Sequence, residues 1–290
     1  MKNAMNYHLM VRALRSFFLE KKGFIEVPAQ SRLSILAAGE QPETIAQFAL
    51  NNVLYPLPQT GQMCLEYELL NNPEWPGVFC VTTSYRDEPT SAEGCHWQIF
   101  PLFEFEAKGN FEALKQLEDE LLLFLGFEVP VLIDYEQTRK KYETQSIGHE
   151  HENALCKELG TCISLEKYPA STHPFWNMKY AGNGLYNKID IVLHGMETIE
   201  SAERETDKQK MKDQFFSISH GKYAQLLFNR FSKERVLKEL DEYLAFDMFE
   251  RFGAGIGLHR LERAMVLSGL LEQQMPNVVP AHLFAPQIQL

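Results

Sequence analysis

The sequence predicts an α+β fold in which a largely antiparallel sheet is flanked by helices. Many strand-like segments follow one another through short turns, which favours antiparallel pairing of neighbours. Helical segments fall between them without a regular β–α–β alternation, which argues against a doubly wound parallel sheet. The chain has 290 residues, of which 45% are hydrophobic, so a large core can form.

The N-terminal part begins with a predicted amphipathic helix over residues 7–22. One stripe of this helix is apolar and is formed by Met10, Leu14, Phe17 and Phe18. Gly23 ends the helix, and a short strand follows at residues 24–27. Residues 31–62 show no clear pattern and are expected to be rich in loops.

The middle of the chain contains two predicted strands followed by a helix. The strands cover residues 78–84 and 99–106, and the helix covers residues 111–125. Asn110 is a suitable cap for the start of the helix, and Gly126 is a suitable residue to end it.

The C-terminal half adds more strands and helices in the same mixed order. Strands are predicted near residues 162–166 and 188–198, and helices over residues 207–216 and 232–249. A glycine-rich strand then leads into a helix over residues 258–267.

The composition limits the classes of function. The formal net charge is −11 and no basic run stands out, which argues against a dedicated nucleic-acid binder. No apolar run is long enough to cross a bilayer, and the N-terminus lacks the layout of a signal peptide. The five cysteines are irregularly spaced without a CxxC pair, so we expect reduced thiols in a cytoplasmic protein. The alternating histidines and glutamates of residues 149–152 are more typical of a solvated loop than of a metal site.

The first segment with chemical potential is the pair of strands around residue 90. Arg86 ends an apolar strand, where its guanidinium could hold a phosphate through two hydrogen bonds. One face of the returning strand is formed by Phe100, Leu102, Glu104 and Glu106. Phe100 could stack on a base while a carboxylate orients a ribose or a metal ion. The alternative is a hairpin with a surface arginine and one buried phenylalanine.

The second segment is a predicted hairpin with its two-residue turn at residues 194–195. In that register Val192 pairs with Glu197, and Asp190 pairs with Ile199. Asp190 and Glu197 then lie diagonally on one face, because cross-strand partners share a face. Two nearby carboxylates beside a phosphate site can hold magnesium. The alternative is two solvated acids on an exposed sheet face.

The third segment is the glycine-rich strand and the helix that follows it. Gly253, Gly255 and Gly257 alternate along the strand, which lets a ligand or a second backbone approach closely. Arg260 then lies in the first helical turn, where backbone N–H groups favour anions. No Gly-Lys-Ser/Thr follows, so this is not a P-loop. Close packing of the helix on the strand is the alternative.

In this order, the segments resemble motifs 2 and 3 of the class II aminoacyl-tRNA synthetases that handle aspartate, asparagine and lysine. The first helix with residues 23–28 resembles motif 1, which forms the family's dimer interface. Residues 59–62 resemble the start of the family's amino-acid-binding strand, and residues 168–176 resemble another characteristic segment of the family. Residues 197–205 resemble the segment that carries a metal-binding glutamate and an arginine that reads the substrate side chain. The resemblance covers nearly the whole chain. It implies one catalytic domain over residues 1–290, built on an antiparallel six- to seven-stranded sheet.

The resemblance also implies a role for each matching residue. The residues implied for ATP are Arg86, Glu88, His96, Phe100, Gly257 and Arg260, and among them Arg86 and Arg260 would be catalytic. Asp190 and Glu197 would hold Mg²⁺. The amino acid would be bound by Gln62, Glu200, Ser201 and Arg204. The implied reaction displaces pyrophosphate and produces an acyl-adenylate, and it needs no side-chain nucleophile.

Several features depart from the family pattern. No anticodon-reading domain is expected before the motif-1-like helix, so the chain resembles a free-standing paralogue. Residues 203–205 are similar to archaeal synthetase-like proteins that make asparagine from aspartate without tRNA. Leu65 stands where the aspartate enzymes have a substrate-reading lysine, and Glu200 and Ser201 stand where they have small residues. Further differences occur at Cys95, Ile99, His173 and the stretch 279–281, where the family's Phe-Pro-Arg is missing.

The expected function is therefore that of a cytoplasmic, AMP-forming ligase that uses ATP and Mg²⁺ to activate an amino acid. Without an anticodon-reading domain, the expected acceptor is ammonia or another small amine. Two alternatives stay open: transfer to a protein, a carrier or a tRNA end, and a non-catalytic regulatory dimer. The expected partners are the amino acid, ATP and a second copy of the chain. Neither a membrane nor nucleic acid, apart from a tRNA acceptor end, is expected.

Overall fold

A computed structural model describes residues 3–30, 32–36, 42–88, 97–172 and 174–271. The helices are α1 (Ala4–Arg15), α2 (Gln62–Asn71), α3 (Phe111–Leu125), α4 (Tyr135–Lys141), α5 (His149–Leu159), α6 (Lys208–Ser217), α7 (Lys222–Phe231), α8 (Lys233–Ala245) and α9 (Leu258–Leu267). The strands are β1 (Ile25–Glu26), β2 (Gln47–Leu50), β3 (Val53–Pro56), β4 (Gly77–Tyr85), β5 (Ile99–Lys108), β6 (Val131–Asp134), β7 (Cys162–Pro169), β8 (Tyr180–Gly182), β9 (Leu185–Leu193), β10 (Met196–Glu203) and β11 (Arg251–Gly257). None of these helices is long and apolar enough to cross a membrane.

The described strands form a nine-stranded sheet and a separate β2–β3 hairpin. The order in the large sheet is β1-β4-β5-β11-β10-β9-β7-β6, and β8 pairs with β9. Only the outer pairs β1–β4 and β6–β7 are parallel. The predicted antiparallel sheet flanked by helices is confirmed, but the expected six to seven strands are too few. The short strand predicted at residues 24–27 is found as β1, whereas the unpredicted strands β6 and β8 have only four and three residues, too short to show a period.

One core lies under the sheet, where α1, α3 and α9 cover the face opposite the site. Phe18 is at its centre, with its ring 4.8 to 5.9 Å from five other phenylalanine rings. The predicted apolar stripe of α1 is buried, as expected. A second core surrounds Trp176, Phe215 and Tyr243, between the end of the sheet and α6 to α8.

The helix predictions differ in accuracy for physical reasons. Helix α3 is confirmed at both ends, because Asn110 Oδ1 accepts from Ala113 N at 3.1 Å and Gly126 adopts a left-handed φ of +96°. Sequence patterning missed α2, since nearly all of its residues are buried and no polar stripe remains. It also missed α7, and the helix predicted to reach residue 249 ends at Ala245. Residues 149–152 begin helix α5 and are not a loop.

The β9–β10 hairpin has the predicted turn, with His194 and Gly195 at φ of +50° and +76°. Glu197 pairs with Val192 as predicted. A β-bulge at Thr198 then shifts the register by one residue, so Asp190 pairs with Glu200. The predicted pairing of Asp190 with Ile199 is therefore wrong, although Asp190 and Glu197 still share a face.

Candidate active site

A cavity of about 920 Å³ lies over the middle of the sheet, on the face opposite the phenylalanine core. Its floor comes from β5, β9, β10 and β11, and its walls from the start of α2, from α9 and from the chain before β8. A volume of this size is typical of small-molecule sites.

The strand pairing arranges the floor of the cavity in rows. Because directly paired residues share a face, each row runs across β9, β10, β11 and β5. The first row consists of Lys188, Ala202, Gly253 and Glu106. The second row consists of Asp190, Glu200, Gly255 and Glu104. Gly257 and Leu102 pair in the next row, and Phe100 lies beyond Leu102 on the same face of β5. The predicted common face of the even-numbered residues of β5 is confirmed, since Phe103 and Phe105 lie in the opposite core.

The glycines of β11 serve two different purposes. A Cβ at Gly255 would lie 3.9 Å from Glu104 Oε1, and one at Gly257 would lie 3.6 Å from the Arg260 side chain. These two positions leave the strand open to a ligand. A Cβ at Gly253 would instead lie 1.7 Å from an oxygen of Glu106. At that end of the strand, the space above the glycine is already filled by the protein's own side chains.

Arg204 closes the deep end of the cavity and is only 1% exposed. Its Nη2 donates to Gln62 Oε1 at 2.8 Å and to Glu106 Oε2 at 3.1 Å, and its Nε donates to Glu106 Oε1 at 3.2 Å. Gln62 is itself held, because its Nε2 donates to the Ala254 carbonyl at 2.8 Å. Among the described residues Arg204 Nη1 has no hydrogen-bond partner, although it is buried. The deep end therefore offers a rigid cation with one unused N–H group.

A buried ion-pair network behind Arg204 keeps it in place. Arg251 Nη2 donates to Glu66 Oε2 at 2.8 Å, and the Tyr243 hydroxyl donates to the same oxygen at 2.5 Å. Burial alone would raise the pKa of Glu66, but Arg251 and Arg204 outweigh it and lower that pKa. Sequence analysis missed this network, because its members belong to α2, α8 and β11 and show no common motif.

Sequence analysis also gave Glu104 no individual role in the site. It is fully buried, lines the cavity and accepts a hydrogen bond from the Gly61 backbone N–H at 2.7 Å. Burial raises the pKa of its carboxyl to about 7. Its alternation with Phe103 and Phe105 was the signal available, since a carboxylate between two core residues must face something polar.

The β9–β10 flank of the cavity holds a cluster of charged residues. Lys188 Nζ lies 2.9 Å from Glu200 Oε1 and 3.3 Å from Asp190 Oδ1, and the Tyr168 hydroxyl donates to Asp190 Oδ2. Burial opposes the charge of Lys188, but Asp190, Glu200 and Glu197 outweigh it and raise its pKa. Lys188 in turn lowers the pKa of Glu200, whereas burial raises that of Asp190 to about 8. Lys188 was also missed, and its position two residues before Asp190 on the same face was the available signal.

The open end of the cavity contains the predicted phosphate-binding arginines. The Arg86 guanidinium lies 5.2 Å from the centre of the Phe100 ring and 4.0 Å from Glu88 Oε1. Its buried Nε has no hydrogen-bond partner in the described part of the chain. Arg260 Nη1 donates to the Glu197 carbonyl at 2.7 Å and to its carboxylate at 3.2 Å. The fold thus brings both arginines to one cavity, with Arg86 beside the Phe100 ring and Arg260 next to Gly257.

The other residues predicted for the site lie in different parts of the structure or outside its described part. Ser201 is buried beside the cavity, but it pairs with Ile189 and Ala254, whose side chains lie in the opposite core. Its hydroxyl therefore faces away from the cavity floor and lies 3.4 Å from the Ile189 carbonyl. Leu65 was expected in the amino-acid pocket, but this is wrong: α2 turns it into an apolar cluster with Val27 and Val78. His96 lies outside the described residues, as do Cys95, His173 and residues 279–281.

The histidines of α5 and α9 have different surroundings. In α5, His151 Nδ1 accepts a hydrogen bond from the Gly148 N–H, and among the described residues there is no group of three or more possible metal ligands. His259, which sequence analysis did not select, lines the cavity beside Trp97 with ring centres 5.1 Å apart. Both of its ring nitrogens are buried without a described partner, and burial lowers its pKa.

Comparisons with known proteins agree with this geometry. The family model for tRNA synthetases class II (D, K and N) matches residues 1–273. The Pyrococcus horikoshii asparaginyl-tRNA synthetase complexed with asparaginyl-adenylate is similar, with a TM-score of 0.72 and 19% identity over 93% of this chain and 65% of that chain. The aspartyl tRNA synthetase from Entamoeba histolytica has a TM-score of 0.66 and 17% identity, over 90% of this chain and 55% of that chain.

These solved structures share the fold of the chain. The chain spans less than two thirds of the length of either, as the 65% and 55% coverage shows. No curated protein matches it in sequence.

Proposed function

The chain belongs to the class II tRNA synthetases of the D, K and N group, and from that premise we propose that it is an ATP-dependent, AMP-forming ligase. In this proposal it activates an amino acid as an aminoacyl-adenylate and transfers the acyl group to ammonia or another small amine.

One observation carries the proposal: the polar groups follow one line along the cavity floor. Arg204 stands at the deep end, the second row with Glu104 and Glu200 comes next, and Arg86 and Phe100 stand at the open end. An aminoacyl-adenylate has the same order of parts, from side chain through α-carbon and acyl phosphate to adenine. The glycine floor between the two ends lets such a ligand lie flat on β11.

The deep end fits an amino acid with a short polar side chain. The unused Nη1 of Arg204 would donate to a side-chain oxygen, with Gln62 fixing the guanidinium. Glu104, two rows from the phosphate end, would accept the α-ammonium group. A buried charge needs a partner, so an ionised Glu104 favours a cation beside it. That a similar synthetase was solved with asparaginyl-adenylate supports this choice of substrate.

The open end fits ATP. Arg86 would bind the α-phosphate, where negative charge grows as the amino-acid carboxylate oxygen attacks phosphorus. Phe100 would stack under the adenine, and Arg260 at the start of α9 would hold the outer phosphates with Gly257 below. Glu88 beside Arg86 orients that guanidinium, and His96 remains predicted for the outer phosphates. Because pyrophosphate leaves as the oxygen attacks, positioning and charge neutralisation suffice for the reaction.

Magnesium fits the residues on the β9–β10 flank. Carboxylate oxygens are the ligands that Mg²⁺ prefers, and substrate phosphates commonly supply the others. Glu197 lines the cavity near Arg260, and Asp190 lies on the same face of the hairpin, with its Oδ1 3.3 Å from Lys188 Nζ. We therefore propose that Asp190 and Glu197 hold the ion, which would neutralise charge on the phosphates.

The first test is ATP–pyrophosphate exchange with each standard amino acid in the absence of tRNA. We expect exchange with one short polar amino acid, because only adenylation returns labelled pyrophosphate to ATP. Tight ATP binding without exchange for any amino acid would contradict the proposal and favour a regulatory protein. Gel filtration of the same sample checks the proposed homodimer.

Amino-acid binding should depend on pH through Glu104. Since burial raises its pKa to about 7, this carboxyl is mostly neutral at lower pH and ionised at higher pH. Only the ionised form attracts the α-ammonium group, so the KM for the amino acid should fall about 10-fold between pH 6 and pH 8. Steady-state exchange across this range measures the effect. Glu104→Gln should raise KM and remove the pH dependence; a pH-independent KM in the unmodified protein would contradict the assignment.

A further inference from the structure

The resemblance implied that Glu200 binds the amino acid, but the proposed adenylation assigns the α-ammonium group to Glu104 and gives the Glu200 carboxylate no substrate contact. It lies in the second row, between Asp190 on β9 and Gly255 on β11. Gly255 has no side chain, so nothing on β11 covers the Glu200 carboxylate from that side. Its side chain is 38% exposed, in contrast to the fully buried Glu104 across the glycine.

Lys188 controls the orientation and charge of this carboxylate. Its Nζ lies 2.9 Å from Glu200 Oε1 and is also held above the Tyr168 ring at 4.6 Å. Oε1 is therefore engaged by Lys188, whereas no residue that the structure describes donates a hydrogen bond to Oε2.

Glu104 and Glu200 stand on opposite sides of Gly255, two strands apart, or roughly 10 Å. An acyl carbon lying over Gly255 would have one carboxylate on each flank. Glu104 is the buried one and fits the α-ammonium group, which is enclosed once the substrate is bound. Glu200 faces the solvent-accessible flank, from which a second substrate would have to arrive.

We propose that Glu200, held by Lys188, binds the acceptor of the acyl group and that this acceptor is ammonium or a small primary amine. The assignment rests on the proposed adenylation and names its second substrate. A carboxylate attracts a cation and repels a phosphate-bearing acceptor, so the end of a tRNA is disfavoured at this position.

The transfer step forms a C–N bond and releases AMP. The ammonium ion gives one proton to the Glu200 carboxylate, which releases it to solvent, and becomes a free amine. The nitrogen lone pair then forms a C–N bond to the acyl carbon, and the bond from that carbon to the phosphate oxygen breaks to release AMP. A second proton leaves the nitrogen by the same route, and an amide remains. No oxidation or further co-reactant is involved.

The experiment compares two rates for each variant: ATP–pyrophosphate exchange, and formation of amide from ammonium chloride measured by mass spectrometry. Glu200→Gln removes the charge at nearly constant size. We expect the ratio of amide formation to exchange to fall about 100-fold, with a raised KM for ammonium, since proton acceptance by a positioned base contributes at least that much. Glu200→Asp keeps the carboxylate and should recover most of the loss.

Glu242→Gln is the matched control, because Glu242 is an exposed residue of α8 whose partner, Lys238, lies 3.8 Å away. It should leave both rates unchanged. Equal losses of exchange and amide formation in Glu200→Gln would overturn the assignment, because Glu200 would then serve the amino acid. Exchange without any amide from ammonium or methylamine in the unmodified protein would also overturn it, while leaving adenylation intact. Absence of exchange would reject the proposed function itself.

Discussion

Replacing Arg86 with alanine should lower ATP–pyrophosphate exchange by at least about 100-fold, the usual cost of losing one donor to the charge that develops in a transition state. Among the described residues, the Arg86 guanidinium has an ion pair with Glu88 at 4.0 Å and lies 5.2 Å from the centre of the Phe100 ring. Both contacts are weak, so the substitution removes little that holds the fold together. Its buried Nε has no described partner and would gain one in the phosphate. The measurement is exchange at saturating amino acid.

Two further arginine variants serve as controls for Arg86→Ala. Arg139→Ala removes an arginine that is paired with Glu136 on the surface of α4, and it should leave exchange unchanged. Arg86→Lys keeps the charge without the two-pronged guanidinium and should recover part of the activity. Melting temperatures close to that of the unmodified protein are expected for all three. Normal exchange in Arg86→Ala would show that the phosphate site lies elsewhere.

Replacing Gly253 with alanine should destabilise the protein by at least about 3 kcal/mol, or roughly 6 to 12 °C in melting temperature. The new Cβ would lie 1.7 Å from Glu106 Oε2, 2.5 Å from Arg204 Nη2 and 2.7 Å from Gln62 Oε1. These groups are buried and hydrogen-bonded to one another, so none can move without breaking an ion pair. Thermal unfolding followed by circular dichroism measures the change.

The same strand provides the matched control. Gly255→Ala adds an identical methyl group, but its nearest neighbour is an oxygen of Glu104 at 3.9 Å, an ordinary contact. We expect its melting temperature to change by less than about 3 °C. Similar unfolding temperatures for the two variants would mean that the side chains around Gly253 are not held as rigidly as their hydrogen bonds indicate. Because Gly255 underlies the acyl group, this variant should nevertheless bind the amino acid more weakly.

The face of each strand was predictable from the chain alone. Alternation of Phe103 and Phe105 with Glu104 and Glu106 identified the core side and the site side of β5, because side chains on a strand point alternately to opposite faces. The turn at residues 194–195 was equally clear, since two consecutive residues with positive φ suit a tight hairpin. Arg86, Arg260 and Glu197 were selected by the resemblance to the synthetase family, and the structure brings all three to one cavity.

Where the burial or the partner of a residue depends on a second helix or strand, the sequence did not predict it. Leu65 was placed in the pocket by the resemblance, because the aspartate enzymes have a substrate-reading lysine there, but the orientation of α2 buries it against Val27 and Val78. The bulge at Thr198 changed the partner of Asp190 from Ile199 to Glu200, and a local period carries no signal for one extra residue.

The sequence by itself therefore determined the α+β class and the two faces of β5, because these follow from local periodicity, whereas the two arginines of the open end were selected by the resemblance to the synthetase family. Only the tertiary structure decided which charges meet: Arg204 with Glu106 and Gln62, Arg251 with Glu66, and Lys188 with Glu200. Such contacts join residues up to 185 positions apart. Their partners are chosen by strand order and helix packing, which no single segment of the chain encodes.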